Sequence, residues 1–244
     1  MDSQAIATPP EQEHAEHPPY LRHHFATVEQ QKETSTFGMW LFLLTEIMFF
    51  GGLFAAYLIY RNWYYPAFVA GSHQLSIALG ATNTAVLICS SFTMAMGVHA
   101  AELRKRKELV GWLLATILLG CVFLGIKAVE YREKWEKQHV PGLNFSAEGF
   151  TRVDPNYPDD KPLAPDMAAK TVVYFSLYFA MTGMHALHMI IGVSILLVLV
   201  VRAWGGAYTQ GHMTTVENFG LYWHFVDIVW IFLFPLLYLI SRHQ

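Results

Sequence analysis

Residues 221–235 read LYWHFVDIVWIFLFP, and this stretch gives the strongest indication of the fold. It is apolar almost throughout, yet it carries His224 and Asp227 three positions apart. On a helix this spacing places both side chains on one face. Ionisable groups inside a lipid-length helix are costly unless they face protein. We therefore expect both residues to point into a helix bundle, where the Asp227 carboxylate accepts a hydrogen bond from the His224 imidazole.

The composition indicates an integral membrane protein. Of the 244 residues, 54% are hydrophobic and only 14% are charged, whereas a typical soluble domain has about 25% charged residues. The formal net charge of −3 gives no indication of nucleic-acid binding. Cys89 and Cys121 both lie in apolar runs and provide neither a disulfide framework nor the spacing of a zinc site. The chain is therefore expected to fold within a lipid bilayer, with membrane lipids among its partners.

Five apolar segments are long enough to cross a bilayer as helices: 37–60, 75–101, 109–131, 171–201 and 219–240. The first has 24 residues and would rise about 36 Å, more than the ~30 Å hydrocarbon core. Residues 1–36 are polar and rich in Pro and His, without the basic and apolar regions of a secretory signal. The sequence predicts an all-α fold, with a polar, irregular N-terminal tail over 1–36 and an integral membrane bundle of five transmembrane helices over 37–244.

Five spans place the two chain termini on opposite sides of the membrane. The Lys and Arg residues outside the spans are divided almost equally, seven on the N-terminal side and eight on the other, so the count alone does not orient the chain. Positive charge in short loops beside the spans has the greatest weight, and residues 104–107, RKRK, form the densest cluster in the shortest loop. We therefore predict a cytoplasmic N-terminus, with the Pro-rich loop 140–165 and the C-terminus outside.

Further ionisable residues lie within the other apolar segments: Glu46, Glu130, His185 and His188. A lone carboxylate near the middle of the first segment is unfavourable, so Glu46 should be protonated, hydrogen-bonded or paired. Near the end of the third segment, Lys127 and Glu130 are three positions apart. We expect Lys127 to extend to the membrane interface and Glu130 to pair with it or with Lys134.

The buried polar residues are compatible with three functions. Histidines that face each other across helices can ligate haem, and the candidates are His99, His185, His188 and His224. Intramembrane acids mark transport paths, and the candidates are Glu46, Glu130 and Asp227, although no internal repeat is evident. The same side chains could instead form interhelical hydrogen bonds that fix a bundle within a larger complex. The sequence shows no nucleophile–base ordering, no phosphate-binding Gly loop and no CxxC pair, so no catalytic site is predicted.

Five stretches follow one another along the apolar part of the chain: FGMWLFLLTEIMFFGG at 37–52, ATNTAVLICSS at 81–91, KAVEY at 127–131, MHALHMIIG at 184–192 and YWHFVDIVW at 222–230. In this order and at this spacing they resemble segments of the cytochrome c oxidase subunit III family of the haem–copper respiratory oxidases. The last stretch resembles the family's Trp-His-Phe-Val-Asp signature. The resemblance covers about residues 37–240 and matches the five-helix bacterial form.

The resemblance implies a subunit of a proton-pumping terminal oxidase with no catalytic, cofactor-binding or metal-binding residues of its own. Haem and copper belong to subunit I, which reduces oxygen to water, and electrons enter the cytochrome c type through subunit II. The implied role is to pack on subunit I and to support its proton uptake and stability in the bacterial inner membrane. Five-helix members also occur in quinol oxidases and among nitric-oxide-reductase-associated proteins, so the electron donor stays open. A free-standing haem-binding membrane cytochrome is the alternative from another class.

The resemblance implies roles for some residues, and the sequence differs from the family pattern at others. Among the buried polar residues, Glu46 is the strongest candidate for a proton-related role. Arg202 matches a position that holds lipid headgroups. Lys127 stands where an uncharged amide is more usual, and the first two of the seven helices of fuller family members have no counterpart here.

Overall fold

The computed structural model describes residues 25–152, 162–206, 208 and 213–240. Six α-helices follow in order: α1 (Val28–Trp63), α2 (Tyr65–His73), α3 (Ile77–Glu102), α4 (Arg106–Glu136), α5 (Pro165–Trp204) and α6 (Met213–Tyr238). These residues also include a 3₁₀ turn at Glu148–Thr151 and contain no strand. Five of the helices, all except α2, are long and apolar enough to cross a membrane. The predicted all-α fold with five spans is confirmed.

Helix α1 begins at Val28, well before the start expected from the apolar segment. Thr27 is extended, and its hydroxyl accepts a hydrogen bond from the backbone N–H of Gln30. The side chain of Gln30 accepts in return from the backbone N–H of Ala26. These two reciprocal hydrogen bonds cap the N-terminus of the helix. The predicted irregular conformation of residues 28–36 is wrong, because capping starts the helix where hydropathy gives no signal. The part of the predicted tail at 1–24 lies outside the described residues.

Helix α6 packs against α1, α3 and α5 and carries the largest buried side chains, Trp223 and Trp230. Trp223 lies between α4 and α5 at two glycines. A Cβ added at Gly192 would come within 2.8 Å of its ring, and one at Gly120 within 3.2 Å. Its indole N–H donates to the Ser90 hydroxyl of α3 at 3.0 Å. Small residues on two helices and a hydroxyl on a third therefore fix the position of α6.

Helices α3 and α4 form an antiparallel hairpin closed by a short turn at 103–105. Arg104 in this turn has φ 55°, a left-handed conformation that is uncommon for residues other than Gly. Within the hairpin, the hydroxyls of Thr93 and Thr116 are hydrogen-bonded at 2.9 Å. The turn brings the densest basic segment of the chain to the end of two spanning helices.

The short helix α2 lies between α1 and α3 and was not expected from the sequence. Its nine residues are too few to cross a membrane, and it has a proline in its first turn. Phe68 of α2 packs edge-on against Tyr57 and Tyr174, with ring centres 5.3 and 5.4 Å away. The helix therefore covers the end of the bundle at which α1 and α4 terminate.

The described part of the Pro-rich loop contains no long helix, as predicted. Just before it, the His139 ring stacks on Phe175 of α5, with ring centres 4.8 Å apart, and also packs on Phe150. Burial, reinforced by the charges of Lys134 and Lys137, lowers the pKa of His139 from 6.5 to about 4. At neutral pH this imidazole is uncharged and packs as an aromatic ring, so it attaches the loop to α5.

Candidate functional site

Lys127 and Glu130 of α4 form an ion pair inside the bundle. Lys127 Nζ lies 2.9 Å from Glu130 Oε2, and the two side chains are only 3% and 1% exposed. The pairing of Glu130 with Lys127 agrees with their spacing on the helix. The predicted extension of Lys127 to the membrane interface is wrong, because groups on two other helices bind its ammonium in the interior.

Two tyrosines close the hydrogen-bond network around this pair. Tyr178 of α5 and Tyr238 of α6 each accept a hydrogen bond from Lys127 Nζ at 3.1 Å. The same hydroxyls donate to Glu130 Oε1 at 3.0 and 2.6 Å. All three ammonium protons therefore have acceptors, and the ring of Trp230 lies 5.2 Å from Nζ, within range of a cation–π contact. We call Lys127, Glu130, Tyr178 and Tyr238 the ionic cluster.

The ionic cluster connects α4, α5 and α6 at a depth that solvent does not reach. Removing one member of a buried ion pair typically costs about 3–5 kcal/mol, because the other charge is left uncompensated. Lys134, the other partner considered for Glu130, donates instead to the carbonyl of Gln74 after α2. A closed and fully bonded network of this kind stabilises the helix arrangement and leaves no group free for chemistry.

A second acidic site joins α1 to α5. Glu46 Oε2 lies 3.1 Å from His188 Nε2. His188 Nδ1 lies 2.7 Å from the carbonyl oxygen of Met184, and because a carbonyl only accepts, Nδ1 carries a proton. The hydrogen bond between Nε2 and the carboxyl group then contains one further proton, held by either partner. The Nδ1–H bond to Met184 therefore fixes the imidazole ring with Nε2 facing Glu46.

The Glu46–His188 pair borders a groove between α1, α5 and α6. The groove has a volume of about 560 Å³, and the side chains of Glu46 and His188 are 18% and 12% exposed. Its remaining lining is mainly apolar: Met39, Phe42, Ile191, Ile195, Leu199, Phe219 and Tyr222, with Ser35, Thr215 and Asn218 as polar members. The Tyr222 hydroxyl also donates to the His188 carbonyl at 2.8 Å. Unlike Glu130, Glu46 is accessible from outside the bundle.

The predicted hydrogen bond between His224 and Asp227 is wrong. His224 Nδ1 is hydrogen-bonded to the Ser91 hydroxyl of α3 at 2.7 Å. Both carboxyl oxygens of Asp227 are buried, and neither makes a hydrogen bond of normal geometry within the described ranges; the Ser91 hydroxyl that bonds to His224 is also close to this carboxyl group. Helix spacing places the two residues on one face as expected, but that face packs on α3, and the imidazole bonds across to α3 instead of along its own helix. A carboxylate anion at this position would be costly.

The four histidines considered as haem ligands have separate surroundings. His185 is buried against Phe123 and Trp230, with ring centres 5.3 and 5.2 Å away, and neither of its nitrogens has a partner among the described residues. His99 lies 3.5 Å from Glu102 at an exposed end of α3. His188 bonds to α1 and His224 to α3, as described above. Within the described ranges, no group of three or more His, Cys, Asp or Glu side chains is arranged to hold a metal ion.

Comparison with known families and proteins assigns the chain to a protein family. The family model described as "Cytochrome c oxidase subunit III" matches residues 15–136 and 164–242. This chain belongs to that family. Subunit III of a haem–copper oxidase is therefore its function, as part of a complex with other oxidase subunits, and its apolar helices are those of a multi-pass membrane protein.

Relatives of this subunit III chain are named as subunits of cytochrome c oxidases and of a ubiquinol oxidase. Cytochrome c oxidase subunit 3 of Corynebacterium diphtheriae is 34% identical over 214 residues, covering 84% of this chain and 87% of the relative. The subunit 3 of Thermostichus vulcanus is 31% identical over 206 residues, covering 84% and 87%. Cytochrome bo(3) ubiquinol oxidase subunit 3 of Pseudomonas aeruginosa is 29% identical over 209 residues, covering 85% of each.

Sequence reasoning missed the groups of this subunit III chain that bond to Lys127 and to His224. Tyr178 and Tyr238 are 51 and 111 residues away from Lys127, and Ser91 is 133 residues away from His224. No local spacing connects such positions. One signal was available: Tyr238 is a polar-tipped aromatic residue near the end of an apolar segment, and such residues usually have a hydrogen-bond partner when buried.

Arg202 stands at the end of α5 in this subunit III chain. Its guanidinium carbon lies 5.8 Å from the centre of the Tyr208 ring, within range of a cation–π contact. The resemblance implies that Arg202 contacts a lipid headgroup, and in this structure the Arg202 side chain also packs beside an aromatic ring.

Proposed function

We propose that this chain stabilises a proton-pumping terminal oxidase without taking part in electron transfer. In this proposal it packs on subunit I, with subunit II in the same complex, and the haem and copper lie in those partners. The chain itself contributes no catalytic residue, cofactor ligand or metal ligand. Its role is to keep proton uptake and the active site of subunit I intact during turnover.

The single observation that carries this proposal is the closed ionic cluster. Its charges and hydroxyls are all bonded to one another, so they are used to hold three spanning helices together. Such a bundle offers subunit I a stiff surface in the membrane. The same closure argues against a transport path through Glu130, because none of its partners leads to solvent.

Glu46 is the residue for which we propose a proton-related role. It is hydrogen-bonded to an imidazole, shares one proton with it, and borders the groove between α1, α5 and α6. His185, His188, His224 and Asp227 are proposed as packing and positioning residues. Arg202 is proposed to contact a lipid headgroup.

The test of the role compares the purified oxidase with and without this subunit. We expect an unchanged optical spectrum of the haem groups and an unchanged initial rate of oxygen consumption. We also expect the enzyme without the subunit to lose activity after fewer turnovers and to take up protons more slowly. Equal active lifetimes and proton uptake would contradict the proposal. A haem spectrum in the isolated chain would favour the free-standing cytochrome instead.

We propose cytochrome c as the electron donor, with quinol as the second candidate because a bo(3) ubiquinol oxidase subunit is among the relatives. Oxygen consumption by the intact complex with reduced cytochrome c, and separately with a soluble quinol, distinguishes the two. Activity with quinol alone would overturn this choice. A copper-binding domain in the co-purifying subunit II would support it.

We further propose a bacterial inner membrane location, with the N-terminus cytoplasmic and the C-terminus outside. The basic α3–α4 turn supports this orientation through the preference of positive charge for the cytoplasmic side. Protease added to sealed right-side-out vesicles should cleave in the loop 140–165. Cleavage of that loop only in inverted vesicles would show that the orientation is reversed.

A further inference from the structure

A small recess lies between the α3–α4 turn and the segment that follows α5. Arg104, Arg106 and Tyr208 line it, together with Leu109 and small side chains at the ends of α3 and α5. It encloses about 10 Å³, which is close to the space that one water-sized group requires. The recess therefore fits a single oxygen atom of a larger polar group that remains outside.

The charges around this recess are positive and largely uncompensated. Lys105 is paired with Glu108 at 3.0 Å. Arg104 and Arg106 are exposed and form no ion pair with an acidic side chain within the described ranges. Two adjacent guanidinium groups without acids favour an anion, and guanidinium geometry suits phosphate oxygens.

The start of α4 adds to this positive potential. Lys105 is the N-cap residue, and no side chain caps the helix there. The first backbone N–H groups of a helix have no intrahelical acceptor, and together with the helix dipole they favour an anion. Arg106, the first residue of α4, therefore presents its side chain beside unsatisfied backbone donors.

Tyr208 supplies an independent indication that the recess binds a ligand. The side chain is buried, with 2% of its surface exposed, and its hydroxyl has no hydrogen-bond partner among the described residues. Burial raises the pKa of Tyr208, so the hydroxyl keeps its proton and can donate. A buried donor without an acceptor is unfavourable, and an anion in the recess would supply that acceptor.

We propose that this recess binds the phosphate group of an anionic phospholipid. It lies where α3 ends and α4 begins, at the ends of two membrane-spanning helices, which is the depth of lipid headgroups. Basic residues directly beside spans attract anionic lipids, by about 1 kcal/mol for each Lys or Arg near the surface. Arg202 does not line the recess, but its guanidinium carbon lies 5.8 Å from the centre of the Tyr208 ring. The recess therefore adjoins the headgroup contact proposed for Arg202 and adds Arg104, Arg106 and Tyr208 to it. The inference does not depend on the oxidase assignment.

The test titrates the intact complex, stripped of lipid in a neutral detergent, with phosphatidylglycerol or phosphatidylcholine and measures bound lipid by native mass spectrometry. Arg106→Gln should weaken phosphatidylglycerol binding about tenfold, the loss expected for one charge-assisted hydrogen bond. Lys107→Gln is the matched control, because it removes the same charge from the next residue, which does not line the recess. Its effect should be clearly smaller.

A second variant keeps the test valid if Arg106→Gln fails to assemble. Tyr208→Phe removes only the hydroxyl and keeps the ring beside Arg202, so the complex should form normally and bind phosphatidylglycerol about threefold to tenfold more weakly. Equal effects of Arg106→Gln and Lys107→Gln would overturn the proposal, as would unchanged binding in Tyr208→Phe. Equal binding of phosphatidylcholine would exclude an anionic lipid. Displacement of the lipid by millimolar inorganic phosphate would show a free-phosphate site instead.

Discussion

The ionic cluster and the Glu46–His188 pair place an acid beside a basic group within spanning helices, but they differ in closure. Glu130 has three partners and almost no exposed surface, whereas Glu46 has one side-chain partner and borders a groove. When neighbouring side chains bond to and bury an acid, its carboxylate cannot exchange protons with the surroundings and acts as a structural group. An acid left partly open keeps the option of proton exchange. We therefore attribute stability to the first site, and the second is the site for which we propose a proton-related role.

The largest effect is expected from Glu130→Ala. This change leaves Lys127 charged, buried and without its carboxylate, which should cost about 3–5 kcal/mol of folding free energy. The yield of intact complex and its thermal denaturation midpoint measure this loss. The double variant Lys127→Met with Glu130→Met should recover part of it, because no uncompensated charge remains. A full yield of stable complex with Glu130→Ala alone would break the distinction between the two sites.

His139 tests whether burial of an uncharged imidazole has a comparable effect outside the membrane. Its pKa is lowered from 6.5 to about 4, so the unfolded segment binds a proton more readily than the folded one. The stability of the loop contact should be fully present above about pH 6.5 and decrease as the pH falls towards 4, by at most about 3 kcal/mol. Hydrogen exchange of the loop between pH 7 and pH 4 measures this. His139→Phe is the control and should abolish the pH dependence; a persistent dependence would implicate another group.

The tyrosines of the ionic cluster test how much their hydrogen bonds to the buried charges contribute to stability. Tyr178→Phe removes one hydroxyl that both accepts from Lys127 and donates to Glu130, and should cost about 1.5–3 kcal/mol, as expected for hydrogen bonds to charged groups. Thermal denaturation of the complex is the measurement. Tyr222→Phe, which removes a hydroxyl bonded only to a backbone carbonyl, should cost about 1 kcal/mol. Equal losses in the two variants would mean that the charges add nothing.

The smallest effect is expected from Asp227→Asn. Because its carboxyl group makes no hydrogen bond of normal geometry among the described residues and has only the Ser91 hydroxyl nearby, an amide of the same shape should change the stability by less than about 1 kcal/mol. The yield of assembled complex is again the measurement, with Glu130→Gln as the comparison. A severe assembly defect would show that Asp227 bonds to a partner subunit, and would move it into the same class as Glu130.

Hydropathy was sufficient to predict the five spans, because each crosses the bilayer with few charges. It did not predict the first turns of α1, which depend on Thr27 and Gln30, or helix α2, which is short. Helical spacing correctly paired Glu130 with Lys127 but failed for His224 and Asp227. In both cases it defined a shared face, but the side chains opposite that face come from distant positions in the sequence. Tyr178 and Tyr238 retain Lys127 inside the bundle, and Ser91 binds His224.

The most direct measurement compares Glu46→Gln and Glu130→Gln in the same oxidase, following the yield of intact complex and the number of turnovers before activity is lost. A glutamine keeps the shape and hydrogen-bonding capacity of the acid but cannot exchange its proton in the same way. Glu46→Gln should assemble at normal yield with unchanged haem content and then show a shortened active lifetime or slower proton uptake. Glu130→Gln should lower the yield. If both variants fail to assemble, or both assemble and work normally, the assignment of different roles to the two acids is contradicted.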